Sequence, residues 1–323
     1  MISVTRIEST TPRILTKQLS LDERGKLRKK SVAAMADGRA KTVDVLDLEQ
    51  FGQLLDGLSS AQAVMYGTMV ERREARIVSE LERSKHPGAI SRTKSFFQFR
   101  RGPGVMLLDH DGHPDGPIDP DDLATMIARA APVLGASPML WRASASSCIQ
   151  DADGRELQGL VGQRLYPAVL DAGLVPAAGK ALVKRLWAAG HGWVVVSRSG
   201  QALMRTLVDA AVWQPERLDF AGPAVLSDGL RRVPPPARLI GPDDASFVDL
   251  RQLDADGEIE QQALRRQTAA RHAAEPEIGR VRAEYIEKEA GKLADVRQIS
   301  LEAAREVVAR AATQRVLMGD FVL

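Results

Sequence analysis

The sequence predicts an α+β protein, strand-rich over residues 1–253 and helical from 254 to 323. Three observations lead there. Short apolar runs bounded by Gly, Pro and Asp recur through the first 250 residues in the manner of strands. Two of them, 95–99 and 105–108, are joined through a Gly102-Pro103-Gly104 turn, which favours antiparallel pairing over a helical crossover. From about residue 254, Gly and β-branched clusters give way to dense Ala, Glu, Gln and Arg, the composition of helices.

The elements follow in chain order. Arg13-Ile14-Leu15-Thr16 and Lys41-Thr42-Val43-Asp44-Val45 read as strands, with Asp37-Gly38 a turn between elements. Asp47 is placed to cap a helix whose apolar face is Phe51, Leu54, Leu55 and Leu58. Residues 63–67 form a short strand, and His86-Pro87-Gly88 a loop. The strand 95–99 carries Phe96, Phe97 and Phe99, and the turn after it feeds the apolar run Val105-Met106-Leu107-Leu108. Asp119 caps the next helix, with Pro120 at its first position and Asp121 and Asp122 in its first turn. Strands are expected at 139–143 and 193–197, with a helix before Gly190-His191-Gly192 between them. Pro234-Pro235-Pro236 and Gly241-Pro242-Asp243-Asp244 read as loop. The tail is expected to hold two or three helices, the last capped by Ser300. Its apolar end, 316–323, has the look of a chain that continues.

Composition bounds the function. The chain of 323 residues, 27% charged and 44% hydrophobic, is long enough for one large globular domain with an appendage. No run of about 18 apolar residues predicts a transmembrane helix. The opening Met1-Ile2-Ser3-Val4-Thr5-Arg6 lacks a signal core, which points to a cytoplasmic protein. The single cysteine, Cys148, excludes an intramolecular disulfide and a multi-cysteine zinc centre, and reads as a small buried residue. Net charge is only +2, yet the first hundred residues carry an excess of about six positive charges, clustered at Arg24, Lys26, Arg28, Lys29 and Lys30. A basic half suits a phosphate-backbone partner; a solvated face is the other reading.

The chemistry-bearing stretch is the apolar run 105–108 with Asp109-His110-Asp111-Gly112 after it. On a strand, Asp109 and Asp111 share a face, and two adjacent carboxylates invite a hard divalent cation, Mg²⁺ or Mn²⁺. A polar Asp-Gly turn is the alternative. Asp209 ends another apolar run, Leu207-Val208, with Arg205 four residues before it. Three carboxylates from two distant segments, with arginines, match the needs of a two-metal nucleotidyl-transfer site; a surface ion pair between Arg205 and Asp209 is the plainer reading.

The order of these segments resembles the archaeo-eukaryotic primase superfamily, in particular the primase-polymerase-like proteins of phages, plasmids and integrated elements. The resemblance rests on the apolar strand ending in D-x-D, a Ser-rich segment from Ser144 through Tyr166, and Val208-Asp209. The stretches Ile90-Ser91-Arg92-Thr93-Lys94 and 213–220 are also similar to such proteins. It implies an N-terminal α/β module packed on a catalytic module built like an RNA-recognition motif, then a helical module, with the active site in the cleft between the first two. It implies template-directed DNA priming and polymerisation during replication. The partners would be single-stranded DNA, a dNTP or NTP, and a fused or associated helicase beyond the C-terminus, with no membrane. Asp109, Asp111 and Asp209 would bind metal, while Arg164, Arg205, Ser144 and Ser146 would hold phosphates. One departure stands out: Arg164 occupies the place of the family's histidine, a swap that keeps phosphate binding but not general-base chemistry.

Two rival readings remain. A haloacid-dehalogenase-type phosphatase would use Asp109 as nucleophile and Asp111 as acid/base, with 194–197 and 240–244 as its later motifs; His113 stands where that family has Thr. A catalytically degenerate DNA-binding replication protein is the other. Gly173 to Lys180 is one residue too long for a P-loop, and Ala181 replaces its Ser or Thr.

Overall fold

The computed structural model describes residues 1–243 and 246–318. It is a mixed α+β fold with several antiparallel sheets and a helical C-terminal part, divided into two compact units. The first unit comprises 1–183 and 207–255; the second comprises 184–206 and 256 onward.

In the first unit, a four-stranded sheet is built from Ile2–Thr11, Asp37–Val45, Gln62–Met65 and Glu74–Val78, every pair antiparallel. Both faces of Ile2–Thr11 are covered: Ile2 and Val4 point to one face and Ile7 to the other, where it meets Ala40, Met65, Ile77 and Phe97. Phe97 is therefore core, and Phe96 packs partly buried against the same cluster. The helix Leu48–Asp56 starts where Asp47 accepts from the Gln50 N–H at 2.8 Å. It buries Phe51 and Leu55 and lies against a second sheet.

That second sheet has the order Leu108–His110, Gln163–Val169, Met139–Ala143, Arg238–Ile240, again antiparallel. All seven residues of Gln163–Val169 are buried. Gln163 meets its polar needs internally: its Oε1 accepts from Trp141 Nε1 at 2.8 Å and its Nε2 donates to the Ile118 carbonyl at 2.6 Å.

Several expectations need correction. The apolar run 105–108 is two short strands, Gly104–Val105 and Leu108–His110, which pair with opposite ends of Gln163–Val169. The break faces Tyr166 and Pro167, and Pro167 has no N–H for a continuous ladder; its carbonyl is still used by the Met106 N–H at 3.2 Å. Residues 13–16 are not a strand. Leu15 is fully buried, which explains the apolar pattern, but its N–H goes to the Ser60 carbonyl in a crossover. The first strand, Ile2–Thr11, and the hairpin Lys17–Leu21 with Leu27–Ser31 carry no strong alternation and are not read from the sequence. Gly38 lies inside a strand, not in a turn. Asp209, at the end of its apolar run, caps a short 3-10 turn, Ala210–Val212.

The second unit combines the hairpin Gly192–Val196 and Ala202–Thr206 with the helices Gly257–Arg297 and Leu301–Met318. Asp256 caps the first through the Ile259 N–H, and Ser300 the second through the Ala303 N–H. Ala290 and Ala304 are fully buried, and small side chains let helices approach closely. Arg305 pairs with Glu287 at 2.7 Å, and Arg282 donates to the Gly200 carbonyl at the hairpin tip. No helix among the described residues is long and apolar enough to cross a membrane. Asp244 and residues 319–323, part of the apolar end, lie outside the described residues.

Candidate functional site

Three hydrogen bonds bring the two carboxylate segments side by side in the first unit. Trp213 Nε1 donates to the Leu107 carbonyl at 2.8 Å, the Asp209 N–H to the Asp109 carbonyl at 2.8 Å, and His110 Nδ1 to the Leu207 carbonyl at 2.7 Å. Both of these Trp213 and His110 side chains are buried, so the bonds are shielded from water. Gly179 leaves the room Trp213 needs: a methyl group there would overlap the indole ring. Burial also lowers the His110 pKa, so the ring is neutral and donates from Nδ1, leaving Nε2 buried without a partner.

The result is a cleft of about 470 Å³ lined by Asp109, Asp111, Asp209 and Asp219. Lys17, Lys29, Arg92, Arg164 and Arg217 line it as well. Asp109 is mostly buried, and its pKa is raised to about 6, first by desolvation, then by Asp111 and Asp219, with Arg164 opposing. Half-buried Lys17 has its pKa lowered by burial and by Arg164 and Lys29, against the pull of Asp109 and Asp111. Its Nζ donates to Ser146 Oγ at 3.2 Å.

Arg164 forms the floor. It stands in register between Asp109 on one neighbouring strand and Arg142 on the other. Its side chain is 6% exposed. Nη1 lies 2.8 Å from Asp219 Oδ1 and Nε 3.5 Å from Asp109 Oδ1. Asp219 is itself buried, and its Oδ2 accepts from Tyr66 at 2.5 Å and from Tyr166 at 2.9 Å. Burial and the Asp219 charge hold both phenols well above their ordinary pKa, so they remain donors. Phe51 packs edge-on against both tyrosines, with ring centroids 6.4 and 5.4 Å away. Arg142, the like charge beside Arg164, pairs outward with Asp56 at 2.6 Å.

Of the residues expected from sequence, Asp109, Asp111, Asp209 and Arg164 meet in this cleft. Ser146 touches it through Lys17. Ser144 is buried, with its Oγ 3.2 Å from Ser147 Oγ, and does not line the cleft. Arg205 belongs to the second unit, on the hairpin opposite Trp193, as does the Ser197 of the phosphatase reading. Lys17, Arg217 and Asp219 were not singled out by sequence reasoning. Lys29 was, as one of the basic cluster, and that cluster is the signal that leads to this cleft.

No group of three or more His, Cys, Asp or Glu among the described residues is arranged to hold a metal ion. The donor set is nonetheless the right kind for Mg²⁺ or Mn²⁺. Such ions take oxygen ligands and are commonly held by one or two carboxylates together with substrate phosphates. Comparison with models of known protein families, with curated proteins and with solved structures finds no match to this chain.

Two outcomes follow. Asp219→Ala leaves the Arg164 charge buried with reduced compensation and should cost about 3–5 kcal/mol in urea unfolding, whereas Tyr66→Phe should cost only about 1; equal, small losses would contradict the network. Asp109 carries the opposite sign from an ion-paired surface carboxylate. Because its folded pKa lies above the unfolded value, native stability falls as pH rises from about 4 through about 6. Asp109→Asn should therefore stabilise the fold more at pH 7.5 than at pH 4.5, and unfolding curves with the reverse trend would contradict the assignment.

Proposed function

We propose that the cleft is the catalytic centre of a metal-dependent nucleotidyltransferase of the primase-polymerase type, joining nucleotides on a single-stranded DNA template. The observation that carries this reading is the convergence of Asp109, Asp111 and Asp209, from segments a hundred residues apart, in one cleft that Lys17, Lys29, Arg92 and Arg217 also line. Carboxylates and cations lining one cleft suit a substrate that brings phosphates and divalent metal together.

In this scheme Asp109, Asp111 and Asp209 hold Mg²⁺ or Mn²⁺. When bound, the metal supplies Lewis-acid polarisation of the reacting phosphate and lowers the pKa of the attacking hydroxyl. Lys17, Lys29, Arg92 and Arg217 bind the polyphosphate, with Lys17 oriented by Ser146. Arg164 acts first as the buried cation that fixes Asp109 and Asp219. Its Nε is buried without a hydrogen bond, 3.5 Å from Asp109 Oδ1, so a phosphate would have to displace that pairing to use it. Arg205 and Ser144 stay as weaker phosphate-binding proposals, since neither is among the residues lining this cleft.

A second reading, a DNA-binding protein without catalysis, has one specific observation in its favour. Arg164 already supplies Asp109 with an internal countercharge, 3.5 Å away. Primer extension on a single-stranded template with Mg²⁺ or Mn²⁺ separates the two. Product formation that falls at least a thousandfold in Asp109→Ala and Asp209→Ala, with folding intact by circular dichroism, is the expected outcome. Template binding without product, with or without a primer, favours the non-catalytic reading.

A further inference from the structure

A second polar cavity, of about 230 Å³, lies in the first unit between the four-stranded sheet and the turn at 100–103. It shares no lining residue with the carboxylate cleft. Its wall includes Thr42, Thr68, Arg73, Arg100 and Arg101, and no carboxylate among the described residues lines it.

The hydroxyls of Thr42 and Thr68 carry the argument. Their residues are only 7% and 4% exposed, and neither oxygen has a hydrogen-bond partner. Buried hydroxyls are nearly always satisfied, so two orphans on one cavity wall mark a place where a polar group belongs. The three arginines are not equally committed. Arg73 pairs with Asp44 at 2.5 Å, and Arg100 gives one N–H to the Met69 carbonyl at 2.6 Å. Arg101 has neither an ion pair nor a hydrogen bond among the described residues, and the turn that carries it is pinned by the Gly102 N–H to Asp171 at 3.2 Å. Unsatisfied hydroxyls able to donate, beside guanidinium groups and with no carboxylate on the wall, suit an oxyanion. The volume falls below the roughly 300 Å³ at which ligand pockets for drug-sized molecules begin, so the occupant is a group the size of a phosphate.

We propose that this cavity binds a phosphate group through Arg100 and Arg101 and the hydroxyls of Thr42 and Thr68. The site is independent of the nucleotidyl-transfer reading. Calorimetric titration of the full chain with inorganic phosphate, at fixed ionic strength, tests it. Saturable binding is expected, weakened at least tenfold by Arg101→Gln and by Thr68→Val and unchanged by Lys17→Met. Arg101 is exposed, so its variant keeps the fold even if Thr68→Val does not. Competition by a phosphate monoester or by a dinucleotide diester supports the site and names the source as a terminal or a backbone phosphate; competition by neither identifies free phosphate. Absence of saturable binding overturns the proposal. So does binding that survives Arg101→Gln and is lost in Lys17→Met, which puts the anion in the carboxylate cleft.

Discussion

Keeping a guanidinium charged in the protein interior is the constraint on which the first unit depends. Desolvation works against the charge of Arg164, yet Asp219 and Asp109 outweigh it and hold the group protonated. A buried charge of this kind is tolerable only when its partners are fixed and themselves satisfied. That requirement reaches outward: Asp219 needs Tyr66 from just after a strand of the first sheet and Tyr166 from the second sheet, and Phe51 of the helix Leu48–Asp56 packs edge-on against both rings. One ion pair thus ties three elements together around the floor of the cleft.

The same arrangement gives the cleft its electrical character. Arg164 sits directly across the ladder from Asp109, so this carboxyl is stabilised in part, while Asp111 and Asp219 and the loss of water push its pKa up. Asp209 owes its place to the backbone, through the bond from its N–H to the Asp109 carbonyl. The cations of the cleft come from three places: Lys17 and Lys29 from the N-terminal hairpin, Arg92 from the turn before Phe97, and Arg217 from the segment before Phe220. The last of these is also tied to the core, through buried Leu218.

How much of this was legible in the sequence depended on the range of the interaction. Helices announced by a local cap were read correctly, as at Asp47 and Asp119, because their chemistry lies within three residues. The tail helices were read from composition, and the hairpin strand Gly192–Val196 from an apolar run between glycines. The break at Met106 and Leu107 was not legible, since its cause, Pro167, is sixty residues away and acts across a ladder. The hairpin Lys17–Leu21 and Leu27–Ser31 was missed because, apart from Leu19, it buries almost nothing and so carries no alternation. Of the site, Asp109, Asp111 and Asp209 were found because a carboxylate after an apolar run is a local signal. Asp219 was not: its partners Tyr66, Tyr166 and Arg164 lie from 53 to 153 residues away in sequence. Ser144 and Ser146 were selected by residue type, and burial gives them structural bonds before any other.

The central claim is that the carboxylates and the basic side chains of the cleft act together on one metal–phosphate ligand. Anomalous diffraction from crystals soaked with Mn²⁺ and a non-hydrolysable nucleoside triphosphate tests it most directly. The account predicts Mn²⁺ liganded by Asp109 with Asp111 or Asp209, and the triphosphate running along Lys17 and Arg217. Metal and phosphates bound elsewhere, with the Arg164 ion pair undisturbed and the cleft holding neither, would contradict it.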